Sequence, residues 1–144
     1  MSNLKQANGD DFPDAAQKHV EDSKQLLSAG RFDGAGYLAG YVVECVLKTI
    51  AQIEGQPLRG HDLNQLSGAV LTLLSAPSCV TAQYISHPAI TILKYGQAPG
   101  EWKETIRYSG EGRITDLLAQ TWVDEAQRLY IEVISQMKLD GVIQ

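Results

Sequence analysis

Apolar residues recur along this chain at helical spacing, in several stretches separated by glycine- and proline-containing breaks. The widest apolar face lies in residues 33 to 55, DGAGYLAGYVVECVLKTIAQIEG, where Leu38, Tyr41, Val42, Cys45 and Ile50 share one side of a helix. Before it, Ala16, Val20 and Leu27 mark a stripe running from about Asp11 to Ser28. After it, Leu63, Leu66, Val70, Leu73 and Leu74 predict a third helix ending near Ala76. A last helix is expected from about Ile114 to Leu139, with Val123, Ala126, Tyr130, Val133 and Met137 at 3,4,3,4 spacing as its packing seam. Residues 79 to 95 are apolar, but Pro88 forbids one uninterrupted helix there. A short helical turn before it and a helix from Ala89 to Tyr95 after it are expected. No stretch alternates as a half-buried strand would, and there is no internal repeat. The pattern predicts an all-α fold, an up-and-down bundle of about five helices.

The punctuation sharpens the boundaries. Residues 1–10 are polar and read as a flexible N-terminus, with a single domain over residues 11–140. Asp11 can cap the first helix, and Pro13 suits its opening turn, where an N–H lacks an intrahelical partner. Ala29-Gly30 ends that helix. The short link Arg31-Phe32 then leads to Asp33 as the next N-cap and makes the first two helices an antiparallel hairpin. Gly34, Gly36 and Gly40 crowd the first turns of the second helix. Each helical glycine costs roughly 0.5–1 kcal/mol relative to alanine, so several together imply that something packs close against this backbone. Asp62, with Gln65 three residues on, forms a capping-box signal for the third helix. GQAPGEWKETIRYSGEG, residues 96–112, reads as a loop with a turn of helix near Trp102 to Ile106.

Composition adds limits. With 144 residues and 44% hydrophobic content the chain can bury a real core. Its net charge of −5 gives no bulk basic footprint for nucleic acid, although a local patch is compatible with it. Cys45 and Cys79 lie far apart, the first in an apolar helix, and read as free thiols of a reduced compartment. The N-terminus lacks the apolar core of a signal peptide, and no run approaches the roughly 20 apolar residues that span a membrane. A cytoplasmic protein is expected.

Few residues carry candidate chemistry. No HExxH or paired Cys-His spacing occurs, so no metal is expected, and no phosphate-cradling GxxxxGK[ST] or strand-preceded glycine loop suggests a cofactor. His61 beside Asp62 is a candidate acid–base pair, against the simpler reading in which Asp62 caps a helix and His61 packs before it. Cys45 sits mid-helix among valines and leucines, which suits packing rather than nucleophilic attack. Glu44 is the sharpest case. Val42, Val43, Cys45, Val46 and Leu47 surround it in sequence, and a buried carboxylate needs a partner or becomes neutral. Arg107 is the expected partner, since arginine grips a carboxylate through two parallel bonds. The plainer alternative is an exposed i,i+4 pair with Lys48, worth a few tenths of a kcal/mol.

Three segments together resemble a known family. AQKHVEDSKQLLSAGRFDGAGYLAGYVVECVLKTI, GHDLNQL and IRYS are similar to the HEPN domain, the "higher eukaryotes and prokaryotes nucleotide-binding" family, from about Phe12 to Val133. The resemblance implies a five-helix bundle that usually dimerises, with its functional cleft at the dimer interface. Many members are metal-independent ribonucleases of toxin–antitoxin, abortive-infection or RNA-processing systems. Others are non-catalytic partners, often encoded beside a minimal nucleotidyltransferase, and some bind nucleotides or RNA. The ribonucleases carry an arginine and a histidine four to six residues apart. Here the only close pair is Arg59 and His61, with one residue between them, and no histidine follows Arg107, Arg113 or Arg128. The expectation is therefore a homodimeric, non-catalytic module for a nucleotide, an RNA or a nucleotidyltransferase. Its cleft candidates are Tyr37, Tyr41, Glu44, Lys48 and Asp62. The alternative is an atypical ribonuclease using Arg59, His61 and Arg107 or Tyr108.

Overall fold

The computed structural model describes residues 1–85 and 102–144. Helix α1 spans Phe12–Ser28, α2 Phe32–Ile53, α3 Leu63–Leu74 and α4 Asp116–Tyr130. A π-helical turn over Ile131–Ser135 then joins α4 to a short α5, Gln136–Leu139. Two 3-10 turns, Ala82–Tyr84 and Glu104–Tyr108, complete the described structure, which contains no strand. The all-α reading holds, with four long helices among the described residues rather than about five. The helix expected from Ala89 to Tyr95 lies outside the described residues, as does His87.

Local chemistry explains the boundaries. Asp11 accepts from the Asp14 N–H, and Pro13 occupies the first turn of α1. At its far end Gly30 takes φ +71°, and the N–H groups of Gly30 and Arg31 donate to the carbonyls of Leu27 and Leu26. A glycine suits that left-handed position. Asp33 is not the cap of α2. The helix begins two residues earlier than that cap implies, after Arg31, which makes no side-chain capping bond. The Asp33 carboxylate instead accepts from the N–H groups of Gly112 at 2.6 Å and Ile114 at 2.7 Å. It thereby ties the start of α2 to the loop that enters α4. Asp62 does cap α3, accepting from Asn64 and Gln65.

Helix α2 is the core of the bundle. Val42, Val43, Val46, Leu47 and Ile50 are fully buried, as are Leu129, Ile134 and Met137 of the C-terminal helical rod. The seam expected on that rod is shifted at one position: Tyr130 is half-buried while Leu129 and Ile134 take the inside. Val133 and Met137 keep their expected buried places, and the π turn that follows Tyr130 adds Ile134 to the inside. The close approach implied by the glycines is present, but its source is not mainly α1. A Cβ at Gly36 would stand 2.9 Å from Ile114 Cδ1 and 3.1 Å from Trp122, and one at Gly40 would collide with the Trp102 indole. Gly34 alone faces α1, through Leu26.

The first ten residues make hydrogen bonds to the rest of the chain. Asn3 and Gln144 exchange hydrogen bonds of 3.0 Å, Gln52 donates to the Leu4 carbonyl at 2.8 Å, and Ser2 donates twice to Asp11 at 2.6 Å. Burial alone would raise the Asp11 pKa, but the Ser2 bonds outweigh it and hold the carboxyl below its ordinary value. Backbone polar groups that find partners at both chain ends overcome the low apolar content of this segment. No helix among the described residues is long and apolar enough to cross a membrane.

Candidate functional site

Tyr37, Tyr41, Glu44 and Lys48 follow one another along α2 at steps of four, three and four, so they form one stripe. The stripe is polar in a helix whose other faces are core. Glu44 is 4% exposed and Lys48 is 7% exposed, and the Lys48 ammonium donates to Glu44 Oε1 at 2.7 Å. Phe12 of α1 lies 5.5 Å beneath that ammonium. The pair is therefore buried rather than the exposed i,i+4 pair set out as the alternative.

Arg107 is not the partner of Glu44; among the described residues no ion pair joins them. The second partner is His61, whose Nδ1 lies 3.0 Å from both carboxylate oxygens. An ionised carboxylate only accepts, so Nδ1 carries the proton and Nε2 remains for other contacts. The geometry follows from the capped loop. Asp62 fixes the first turn of α3, and the residue just before it turns back over α2. Asp62 itself acts as a cap, and its acid–base pairing with His61 is replaced by the bond to Glu44. His61 keeps 53% of its side chain exposed while the carboxylate behind it keeps 5%.

Aromatic groups continue the stripe. The Tyr37 and Tyr41 hydroxyls share a hydrogen bond of 3.1 Å. The Tyr41 ring stands edge-on to His61 at 6.2 Å and to Trp102 at 5.3 Å. Trp102 is buried beneath them and donates from Nε1 to the Tyr37 carbonyl at 3.1 Å. Burial, the Tyr37 bond and the nearby Glu44 charge all raise the Tyr41 pKa, so it stays a neutral phenol. Exposed Arg107 completes the group. The Tyr37 and Tyr108 hydroxyls raise its pKa, and its guanidinium carbon lies 4.9 Å from the centre of the Tyr108 ring.

The structure thus joins Tyr37, Tyr41, Glu44, Lys48, His61, Arg107 and Tyr108 into one contiguous group, with Glu44 and Lys48 buried behind exposed His61, Arg107 and Tyr108. Arg59 is exposed and has no described bond to that group. Three members escaped sequence reasoning. Trp102 fills the notch at Gly40, and its signal was a tryptophan inside a polar loop downstream of an unexplained helical glycine. Phe12 covers Lys48. His19 lies 5.9 Å from Tyr41, with its buried Nδ1 lacking a partner among the described residues. Burial, then the Lys18 charge, lowers its pKa. Cys45 stays in the core, where burial pushes its thiol up to about 12, so it is no nucleophile at neutral pH. Neither Cys45 nor Cys79 is disulfide-bonded. Among the described residues no cluster of His, Cys, Asp and Glu could hold a metal ion.

The family model described as HEPN domain matches residues 11–133. No curated protein and no solved structure matches the chain.

Proposed function

This chain belongs to the HEPN domain family, and we propose that within it the protein is a dimeric, non-cleaving module. Its α2 surface would hold a nucleotide, an RNA or a nucleotidyltransferase partner in a toxin–antitoxin or defence-type system. The carrying observation is the composition of that surface. Arg107 stands on it without a histidine four to six residues away, and His61, which also lies on it, arrives from a different loop and is tied to a buried carboxylate. The acid–base pair of the ribonuclease members is therefore absent in its usual form. HEPN domains commonly dimerise, and a second copy facing this surface would enclose the ligand.

One contact favours a second reading. A carboxylate behind an imidazole is also the arrangement that orients a general base, so Glu44 and His61, with Arg107 on the far side of the Tyr37–Tyr41 pair, would suit an atypical ribonuclease. Purified protein mixed with structured RNA at stoichiometric concentration separates the two, with sedimentation run on the same sample. The proposed module sediments at twice the 15.7 kDa chain mass and leaves the RNA intact. Cleavage that His61→Ala abolishes would replace it with the ribonuclease. A purely monomeric species at micromolar concentration would remove the dimer from the account.

A further inference from the structure

Helix α4 carries a second regular seam, on the side turned away from the core. Its inner side, with Trp122, Val123, Ala126 and Leu129, is buried, and there α4 packs against α2 and α1. On the other side Leu117, Thr121, Asp124, Arg128 and Ile131 follow at steps of four, three, four and three, and all five are exposed. That alternation is the spacing by which one helix lies along another. Leu117 is 75% exposed and Ile131 52%, and Ile131 lines a shallow groove with Asp124, Gln127, Arg128 and Glu132. The polar groups of the seam are already tied to their own helix. Thr121 donates to the Leu117 carbonyl at 2.8 Å, Gln120 donates to Asp124 at 2.8 Å, and Arg128 donates to Glu132 at 2.9 Å. A partner laid on this face would therefore strand no hydroxyl and would meet two charges already held in place.

Those two charges choose what fits. Asp124 and Arg128 are adjacent members of the seam and carry opposite signs. A parallel second copy would set aspartate against aspartate and arginine against arginine. An antiparallel copy, turned about a two-fold axis midway between the two residues, sets each Asp124 against the other copy's Arg128. The same register brings each Thr121 beside the other copy's Ile131. Such a contact is self-complementary, so every favourable pair occurs twice. We propose that the outer face of α4 binds a second copy of this chain, antiparallel, through Leu117, Thr121, Asp124, Arg128 and Ile131. The contact is separate from a dimer in which the α2 surfaces face each other, because this seam lies on the side of α4 away from α2. A chain that makes both contacts builds particles larger than a dimer.

Sedimentation of the full chain from micromolar to near-millimolar concentration tests the contact. The natural chain is compared with Asp124→Arg, with Arg128→Asp, with the double swap, and with an equimolar mixture of the two single variants. Both side chains are exposed, so the variants keep the fold. The natural chain should show an association step that each single swap weakens by roughly tenfold or more, since like charges then meet twice. The double swap exchanges the two signs and should restore the step. The mixture should associate more tightly than either single variant alone, because one copy then presents two arginines to the other's two aspartates. A step that no swap changes belongs to another face and overturns the proposal, while the α2 dimer stands. Weakening without rescue by the double swap or the mixture overturns it too, because the antiparallel register requires both rescues. Complete loss of association in the single variants, with both rescues, supports this contact and removes the α2 dimer. A natural chain that stays monomeric throughout overturns both.

Discussion

Glu44 is the residue whose environment decides most. Taking a carboxylate and an ammonium out of water costs several kcal/mol each, and their attraction offsets this only when further hydrogen bonds complete the set. Lys48 at 2.7 Å and the His61 contacts at 3.0 Å supply that completion. Removing one partner of a buried pair typically costs about 3–5 kcal/mol, so Glu44→Ala should lower the thermal midpoint by many degrees. Arg107→Ala should leave the midpoint unchanged, because the guanidinium is exposed and bears no structural ion pair with Glu44. Calorimetry of the two variants side by side checks both statements, and equal losses would reinstate the Glu44–Arg107 pairing. That Glu44 needs a partner was legible from its apolar neighbours Val42 to Leu47. Which partner it has was not. Helical periodicity says nothing about how far a loop folds back, and a wheel projection leaves Lys48 in solvent because it omits Phe12 of α1.

At the scale of elements, the glycines of α2 record the tryptophans and the isoleucine that pack against it. Gly40→Ala would drive a methyl group into the buried Trp102 ring, and overpacking of this kind costs typically 1–3 kcal/mol. Gly68 in α3 has nothing within 4 Å of a new Cβ, so Gly68→Ala should stabilise by roughly 0.5–1 kcal/mol through helix propensity alone. Opposite shifts in the two unfolding midpoints are the expected outcome, with a change in Trp102 fluorescence for Gly40→Ala only. Opposed helical glycines of identical sequence type are thus separated by their surroundings. Periodicity located α1, α2 and α3 to within a few residues, and the caps at Asp11 and Asp62 were readable as single letters. The π turn at Ile131–Ser135 was not, since its apolar spacing is also compatible with an uninterrupted α-helix. Asp33 misled for a related reason: a carboxylate at a helix start satisfies whichever N–H donors reach it, and here those belong to Gly112 and Ile114.

For the whole molecule, these devices converge on one face of one helix. The hairpin brings Phe12 and His19 of α1 to α2, the capped loop brings His61, and the turn over Glu104–Tyr108 brings Arg107 and Tyr108. Trp102 packs that turn against Gly40 from beneath. Even the chain ends, joined through Asn3 and Gln144, are clasped to the bundle. The fold class and the family resemblance were legible in the sequence because both reside in local pattern. The composition of the surface was only half legible, because it depends on loops whose course no local pattern fixes. The central structural claim is the Glu44–His61 contact, which ties the imidazole of the α3 loop to the buried carboxylate of α2. Long-range nitrogen–proton NMR of His61 tests it most directly, comparing the natural chain with a Glu44→Leu, Lys48→Met double variant. Replacing a buried ion pair with apolar side chains of similar volume is often neutral for stability, so the variant should remain folded. The natural chain should hold its proton on Nδ1, and the variant should lose that preference. An imidazole that exchanges freely between both tautomers in the natural chain, or that is unchanged in the variant, would contradict the account.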